Sequence, residues 1–263
     1  MLLAGALKTI STNSNISRIG IIQGLAEGSL QTFIFLWSPT LRQLASSRIE
    51  HGEPAYGLIF GAFMASAVVG GSIASLSRKK ISSLLISSGN SKMQTMNDDA
   101  TSVNEGLNPV PVHILCSLCY ALSSILLFVP CVIQDGSSQA FSLCLISFIL
   151  YEFLVGIYVP SEGILRSIYM PTESMCSTIN MLRIITNLTV AISVFSTTFV
   201  PIKASFAALS GMMITAAVLQ LSLVSKSELK EDAFKAFHFQ IDYLAPTFVF
   251  LALVEVVLAI VNS

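Results

Sequence analysis

Hydrophobic positions in this chain fall into long blocks separated by short polar segments, and charge is nearly absent from the blocks. Between Glu53 and Arg78 lie 24 residues without Asp, Glu, Lys or Arg; between Glu105 and Asp135 lie 29, and between Lys203 and Lys226 lie 22. A bilayer core is crossed by about 20 consecutive apolar residues in helical form, because a backbone in lipid must satisfy its own hydrogen bonds. Seven apolar segments follow from the pattern: Ile19–Leu44, Tyr56–Leu76, Pro111–Ile133, Phe141–Pro160, Ser177–Val200, Ala204–Val224 and Tyr243–Val261. The predicted fold class is all-α, a polytopic transmembrane helix bundle.

The polar intervals divide the chain. Residues 1–18 read as a cytoplasmic N-terminal segment and 19–224 as a six-helix transmembrane bundle. A hydrophilic loop over 77–110 interrupts the bundle, rich in Ser, Asn, Asp and Lys and expected to be flexible. Over 225–240, Ser225-x-x-Glu228 has capping-box spacing, and Leu229, Ala233 and Phe237 share a helical face. That segment is either an amphipathic helix at headgroup level or a plain polar linker. Residues 241–263 hold a candidate seventh transmembrane helix, with Glu255 inside it.

Composition agrees. Of 263 residues, 53% are hydrophobic and 11% charged, with a mean hydropathy of +0.76. Soluble domains carry about 25% charged residues, so this chain has too few to cover a water-facing surface. A net charge of −1 gives no nucleic-acid footprint. Orientation follows from the basic residues. With the N-terminus inside, Lys8, Arg18, Arg78, Lys79, Lys80, Lys92, Arg166, Lys226, Lys230 and Lys235 lie on the cytoplasmic side, and Arg42, Arg48 and Lys203 outside.

The chemistry of interest is what remains inside the spans. An ionisable group at mid-bilayer costs roughly 2.5–3.5 kcal/mol on insertion scales, so such groups face a polar interior and mark pathways. Gln23, Glu27 and Gln31 recur every four residues and stack on one face of the first helix, beside Gly24 and Gly28. Asn180, Arg183 and Asn187 form a second polar stripe on the fifth helix, and Glu152 sits in the middle of the fourth span. Opposite charges on different helices predict an ion pair of Arg183 with Glu27 or Glu152 in the absence of substrate. The alternatives are a purely structural pair, or Arg183 snorkelling to the nearby interface.

Other features carry less. Gly57-x-x-x-Gly61, Ala65, Gly70, Gly71, Ala74 and Ser75 offer the second helix a small-residue packing face. Pro39 and Pro160 are expected to end or kink their helices. The five cysteines lie in or beside apolar runs and suggest neither a disulfide framework nor a zinc site. Met1–Ile10 has its cation after the apolar run, the wrong order for a signal peptide. No Gly-x-Ser-x-Gly, His-Glu-x-x-His or phosphate loop is present, so neither enzyme nor cofactor is expected.

Several blocks are nonetheless familiar. Gln23-Gly24-Leu25 with Glu27-Gly28 is followed by Phe35-Leu36-Trp37-x-Pro39, Gly57-x-Ile59-Phe60 and Phe63-Met64-Ala65. Further on come Gly156-x-Tyr158-x-Pro160-Ser161, Leu165-Arg166, Pro171-x-Glu173 and Asn180-x-x-Arg183. In order and spacing the chain resembles the second six-helix half of the molybdate-anion transporter family, in the major facilitator superfamily, from about Ile19 to Val224. The resemblance implies half of a major facilitator fold plus one extra C-terminal hydrophobic helix, in a multi-pass protein of the plasma membrane. It implies movement of an oxyanion, molybdate, by alternating access against a second six-helix bundle, either a missing N-terminal half or a homodimer partner. Arg183 would then attract the anion, Gln23 and Asn180 would donate hydrogen bonds, and Glu27 would compete for the arginine or carry a coupling proton. Gln31, Asn187 and Glu152 complete the candidate lining. The superfamily's charged loop signature is reduced here to Arg78-Lys79-Lys80. Two other readings stand beside this one: a carrier of a different small solute, and a non-transporting membrane protein acting through helix association. On any of them the chain should stay in the membrane pellet after alkaline carbonate extraction, and its release to the supernatant would sink the multi-pass assignment.

Overall fold

The computed structural model describes residues 14–46, 54–88, 109–133, 139–170 and 175–224. The segment 225–240 and the candidate seventh span lie outside the described residues. Six helices make up the rest: α1 Ser14–Ser46, α2 Tyr56–Ser88, α3 Val110–Val132, α4 Ala140–Tyr169, α5 Met175–Ser196 and α6 Ile202–Leu221. Each is long and apolar enough to cross a membrane, and there is no strand among the described residues.

Side-chain contacts between helices give their directions. His113 at the start of α3 meets Tyr169 at the end of α4 and Gln220 at the end of α6, whereas Cys131 at the far end of α3 meets Lys203 at the start of α6. The helix α3 is therefore antiparallel to both. On α2 and α4, Ser66 bonds the Ile149 carbonyl and Arg78 bonds Ser161, so these two run parallel. Along α1 and α5, Gly20 lies against Leu182 and Gly24 against Thr186, again parallel. One end of the bundle, here termed proximal, thus gathers the starts of α1, α3 and α5 and the ends of α2, α4 and α6.

The surface is apolar and the seams hold polar groups. Val68, Ile125, Val132, Phe195, Phe199 and Val218 are more than 60% exposed, as lipid-facing residues are. Inside, Phe33, Phe63, Phe148, Tyr151 and Phe206 interlock α1, α2, α4 and α6; Phe148 stacks on Phe206 at 5.5 Å, and Phe33 meets Tyr151 edge-on at 4.9 Å. Aromatic pairs of this geometry contribute about 0.5–1.5 kcal/mol beyond burial. Hydroxyls also tie helices together: Ser117 donates to the Ala217 carbonyl, and Ser124 and Ser210 bond each other across α3 and α6.

Three expectations are corrected. The polar loop does not begin at Ser77: α2 continues to Ser88 and carries Arg78-Lys79-Lys80 in helical form. At 33 residues it is about 50 Å long, more than a hydrocarbon core, so its charged end stands beyond the apolar zone while keeping its helical bonds. Of the two outcomes expected at Pro39 and Pro160, ending or kinking the helix, the first does not occur; α1 runs on to Ser46 and α4 to Tyr169. Finally, only part of the expected small-residue face is used: a Cβ at Gly57 or Gly61 would meet open space, while Gly70 and Gly71, with Ala67, make the seam of α2 with α4. A methyl group at Gly70 would strike the Phe153 carbonyl oxygen, and one at Gly156 the Ala67 carbonyl oxygen, so the two backbones are in direct contact. Overpacking costs typically 1–3 kcal/mol. Gly156→Ala should therefore lower resistance to denaturing detergent by about that amount, whereas Gly61→Ala should leave it unchanged.

Candidate functional site

Close packing of α1 against α5 sets two polar stripes side by side. A Cβ at Gly24 would rest on Thr186 and Thr189, and one at Gly28 would press on Thr189 and Met212. With the helices parallel and that register, the stripes rise together from the proximal end. Glu27 and Gln31 of α1 and Asn180, Arg183 and Asn187 of α5 are all exposed. They share their helices with exposed Ile34, Phe35, Ile184 and Leu188. A face carrying a carboxylate, a guanidinium and three amides cannot rest against lipid tails without heavy cost, so it marks the side of the bundle that calls for water or a polar cover.

The predicted ion pair is not formed. Among the described residues no ion pair joins Arg183 to Glu27 or Glu152. Register supplies the reason for Glu27: Thr186 is level with Gly24, so Arg183 sits six residues below Glu27, about 9 Å along the axis. Glu152 is 5% exposed on α4, whereas Arg183 is exposed on α5.

Gln23 is likewise buried, at 5% exposure. Its carbonyl oxygen accepts a hydrogen bond from Arg166 Nη1 of α4 at 3.3 Å, while its amide nitrogen has no partner among the described residues. Gln23 thus bridges from the stripe into a polar cluster at the proximal end. There Glu162 accepts from the Tyr120 hydroxyl and Arg78 Nη1 donates to Ser161 Oγ at 3.2 Å. His113 Nε2 meets the Tyr169 hydroxyl at 2.8 Å, and its Nδ1 meets the Gln220 amide at 2.8 Å. With the amide nitrogen donating to Nδ1, the imidazole proton lies on Nε2 and points to the tyrosine oxygen.

Sequence reasoning missed Glu162, Arg166, Tyr120, His113 and Gln220 as a group. The fourth span ends at Pro160 by apolarity, which placed Glu162 and Arg166 in a loop. The signal that could have found them is their spacing of four, which puts acid and base on one helical face once the helix is allowed to pass the proline. No group of three or more metal-ligating side chains occurs among the described residues.

Comparisons with known proteins agree with this architecture. Residues 3–88 match a family described as sugar transporters with 12 transmembrane segments. A molybdate-anion transporter of Xenopus tropicalis is 28% identical over 185 residues, covering 69% of this chain and 33% of that protein. The Xenopus laevis molybdate-anion transporter gives the same identity and coverage, and that of Takifugu rubripes is 27% identical over 68% of this chain and 30% of its own length. The matched region thus spans about a third of these relatives. No solved structure matches the chain.

If the α1–α5 face is hydrated, single cysteines at Gln31, Arg183 and Asn187 should react with a membrane-impermeant maleimide in intact membranes, and a cysteine at Phe195 should not. Equal protection of all four would show that the stripes face lipid.

Proposed function

We propose that this chain belongs to the molybdate-anion transporter family of the major facilitator superfamily, a reading supported by its 27–28% identity to such transporters, and that it forms the C-terminal six-helix half of a membrane carrier that moves an oxyanion, molybdate in the first instance, by alternating access. The observation that carries this reading is the open face of α1 and α5, where Arg183 stands among Asn180, Asn187, Glu27 and Gln31 on two closely packed, parallel helices. A tetrahedral oxyanion needs one fixed positive charge and several neutral donors. A guanidinium supplies the charge in a form that stays protonated and bonds oxyanions through paired N–H groups. The amides of Asn180 and Asn187 supply donors, as does the unpartnered amide nitrogen of Gln23 just behind the stripe. Glu27, one and a half turns above Arg183, competes for the same cation and offers a carboxylate that empties or fills with a proton.

A second bundle belongs opposite this face. Alternating access in such folds is a rocking of one half against the other around a midplane site, and the relatives are about three times as long as the region matched. On the positive-inside rule the proximal end, with Arg18, Arg78, Lys79 and Arg166, faces the cytoplasm, against Arg42 and Lys203 at the other end. The plasma membrane is the proposed location.

A second reading has one observation behind it: the family matching residues 3–88 is described as sugar transporters. A neutral polyol would use the amide stripe and leave Arg183 without a role. Uptake by vesicles holding the chain together with its second bundle separates the two. Arg183→Gln should lower radiolabelled molybdate uptake about tenfold or more, since a charge-assisted hydrogen bond is worth roughly 1.5–3 kcal/mol, while the protein stays folded in the membrane. Undiminished molybdate uptake, or saturable uptake of a sugar that Arg183→Gln leaves intact, overturns the oxyanion assignment.

A further inference from the structure

Away from the open stripes, a line of oxygen-bearing side chains runs inside the bundle along one face of α4. Tyr151, Tyr158 and Glu162 are spaced seven and four apart, which keeps them within about 40° of one another on the helix and spreads them over about 16 Å of its axis. Tyr151 and Tyr158 are 0% and 1% exposed and Glu162 is 3% exposed. Tyr120 of α3 closes the proximal end of the line; its ring lies 5.1 Å from that of Tyr158 and its hydroxyl donates to Glu162 Oε1. The hydroxyls of Tyr151 and Tyr158 have no hydrogen-bond partner among the described residues. Two buried, incompletely bonded hydroxyls beside a buried carboxyl are uncommon in a packed interior, where most polar groups are satisfied.

The carboxyl forms no ion pair among the described residues. Glu162 is faced by Tyr120 and Cys116 from α3, by Glu27 from α1, and by Tyr158 and Arg166 on its own helix. Arg78 of α2 bonds the adjacent Ser161. Arg166 is one turn away but spends its bond on Gln23, and no ion pair to Glu162 forms among the described residues. A lone buried carboxylate costs several kcal/mol, and taking up a proton removes the cost. The chemistry favoured here is reversible protonation.

We propose that Glu162 is a proton-binding site, buried on α4 with its Oε1 held by the Tyr120 hydroxyl of α3. The proton adds to Oε2, the carboxylate oxygen that Tyr120 does not hold, and that O–H bond breaks again when the proton passes to water at the proximal end. Coupling of this proton to solute movement rests on the transporter reading, because Glu27, an electrostatic neighbour of Glu162, lies on the open face. The proton site itself does not rest on that reading.

Infrared difference spectroscopy of the purified full chain in lipid, stepped between acid and alkaline buffer, tests the site without any need for transport. The wild type should show a protonated-carboxyl C=O band that disappears at alkaline pH. Glu162→Gln should lose that band, and Tyr120→Phe should keep it at higher frequency, because the carbonyl loses its donor. A titrating band identical in Glu162→Gln and wild type, or one unmoved in Tyr120→Phe, overturns the proposal; the second variant removes a single oxygen and serves if the first does not fold. Failure of the wild type to carry molybdate would sink the transporter reading and leave the infrared result standing.

Discussion

A helix in hydrocarbon keeps every backbone hydrogen bond to itself, so its neighbours can hold it only by close approach and by side chains. Everything that joins this bundle obeys that constraint. Where α2 meets α4, Gly70 and Gly156 remove the side chains altogether and let the backbones touch, gaining dispersion contacts that no lipid tail supplies as well. Where α3 meets α6, serine hydroxyls reach across to carbonyl oxygens, using the second lone pair that the helical bond leaves free. Both devices work without a hydrophobic driving force, which is absent between two surfaces already in oil.

The same constraint sorts the polar residues into two populations. His113, Gln220, Glu162 and Tyr120 are sealed between helices and Tyr169 is half-buried, each with a partner that replaces water. Glu27, Gln31, Asn180, Arg183 and Asn187 stand on an open face, where their hydration must come from outside the six helices. Exposure in a membrane bundle therefore means the reverse of exposure in a soluble domain. An exposed isoleucine on α5 is at home there, and an exposed arginine is a statement about what lies opposite.

Apolar run length made the six described helices legible, because the pattern reports the solvent around a segment. For the same reason it misread where helices stop. Arg78 and Glu162 mark the end of the apolar zone on α2 and α4, while the helix continues for nearly three more turns on α2 and about two on α4. Gly57-x-x-x-Gly61 misled differently: small residues permit close approach without saying which side a neighbour takes, and α4 crosses α2 at Gly70. The stripes on α1 and α5 were readable from periodicity alone. Their register was not, since it depends on Gly24 and Gly28 meeting Thr186 and Thr189, and the register is what separates Arg183 from Glu27.

That separation bears on how the two polar populations communicate. Were Arg183 locked to Glu27, the open face would carry a neutralised pair with little pull on an anion. Held about 9 Å apart along the axis, the guanidinium remains free to attract and the carboxylate acts on what is near it, which includes Glu162 across the α1–α4 seam. Two carboxyls that repel through a low-dielectric interior resist being charged together. A positive charge settling near Glu27 weakens the repulsion that Glu27 exerts on Glu162. A change of charge on the open face is thereby felt inside the bundle without any side chain having to move between them.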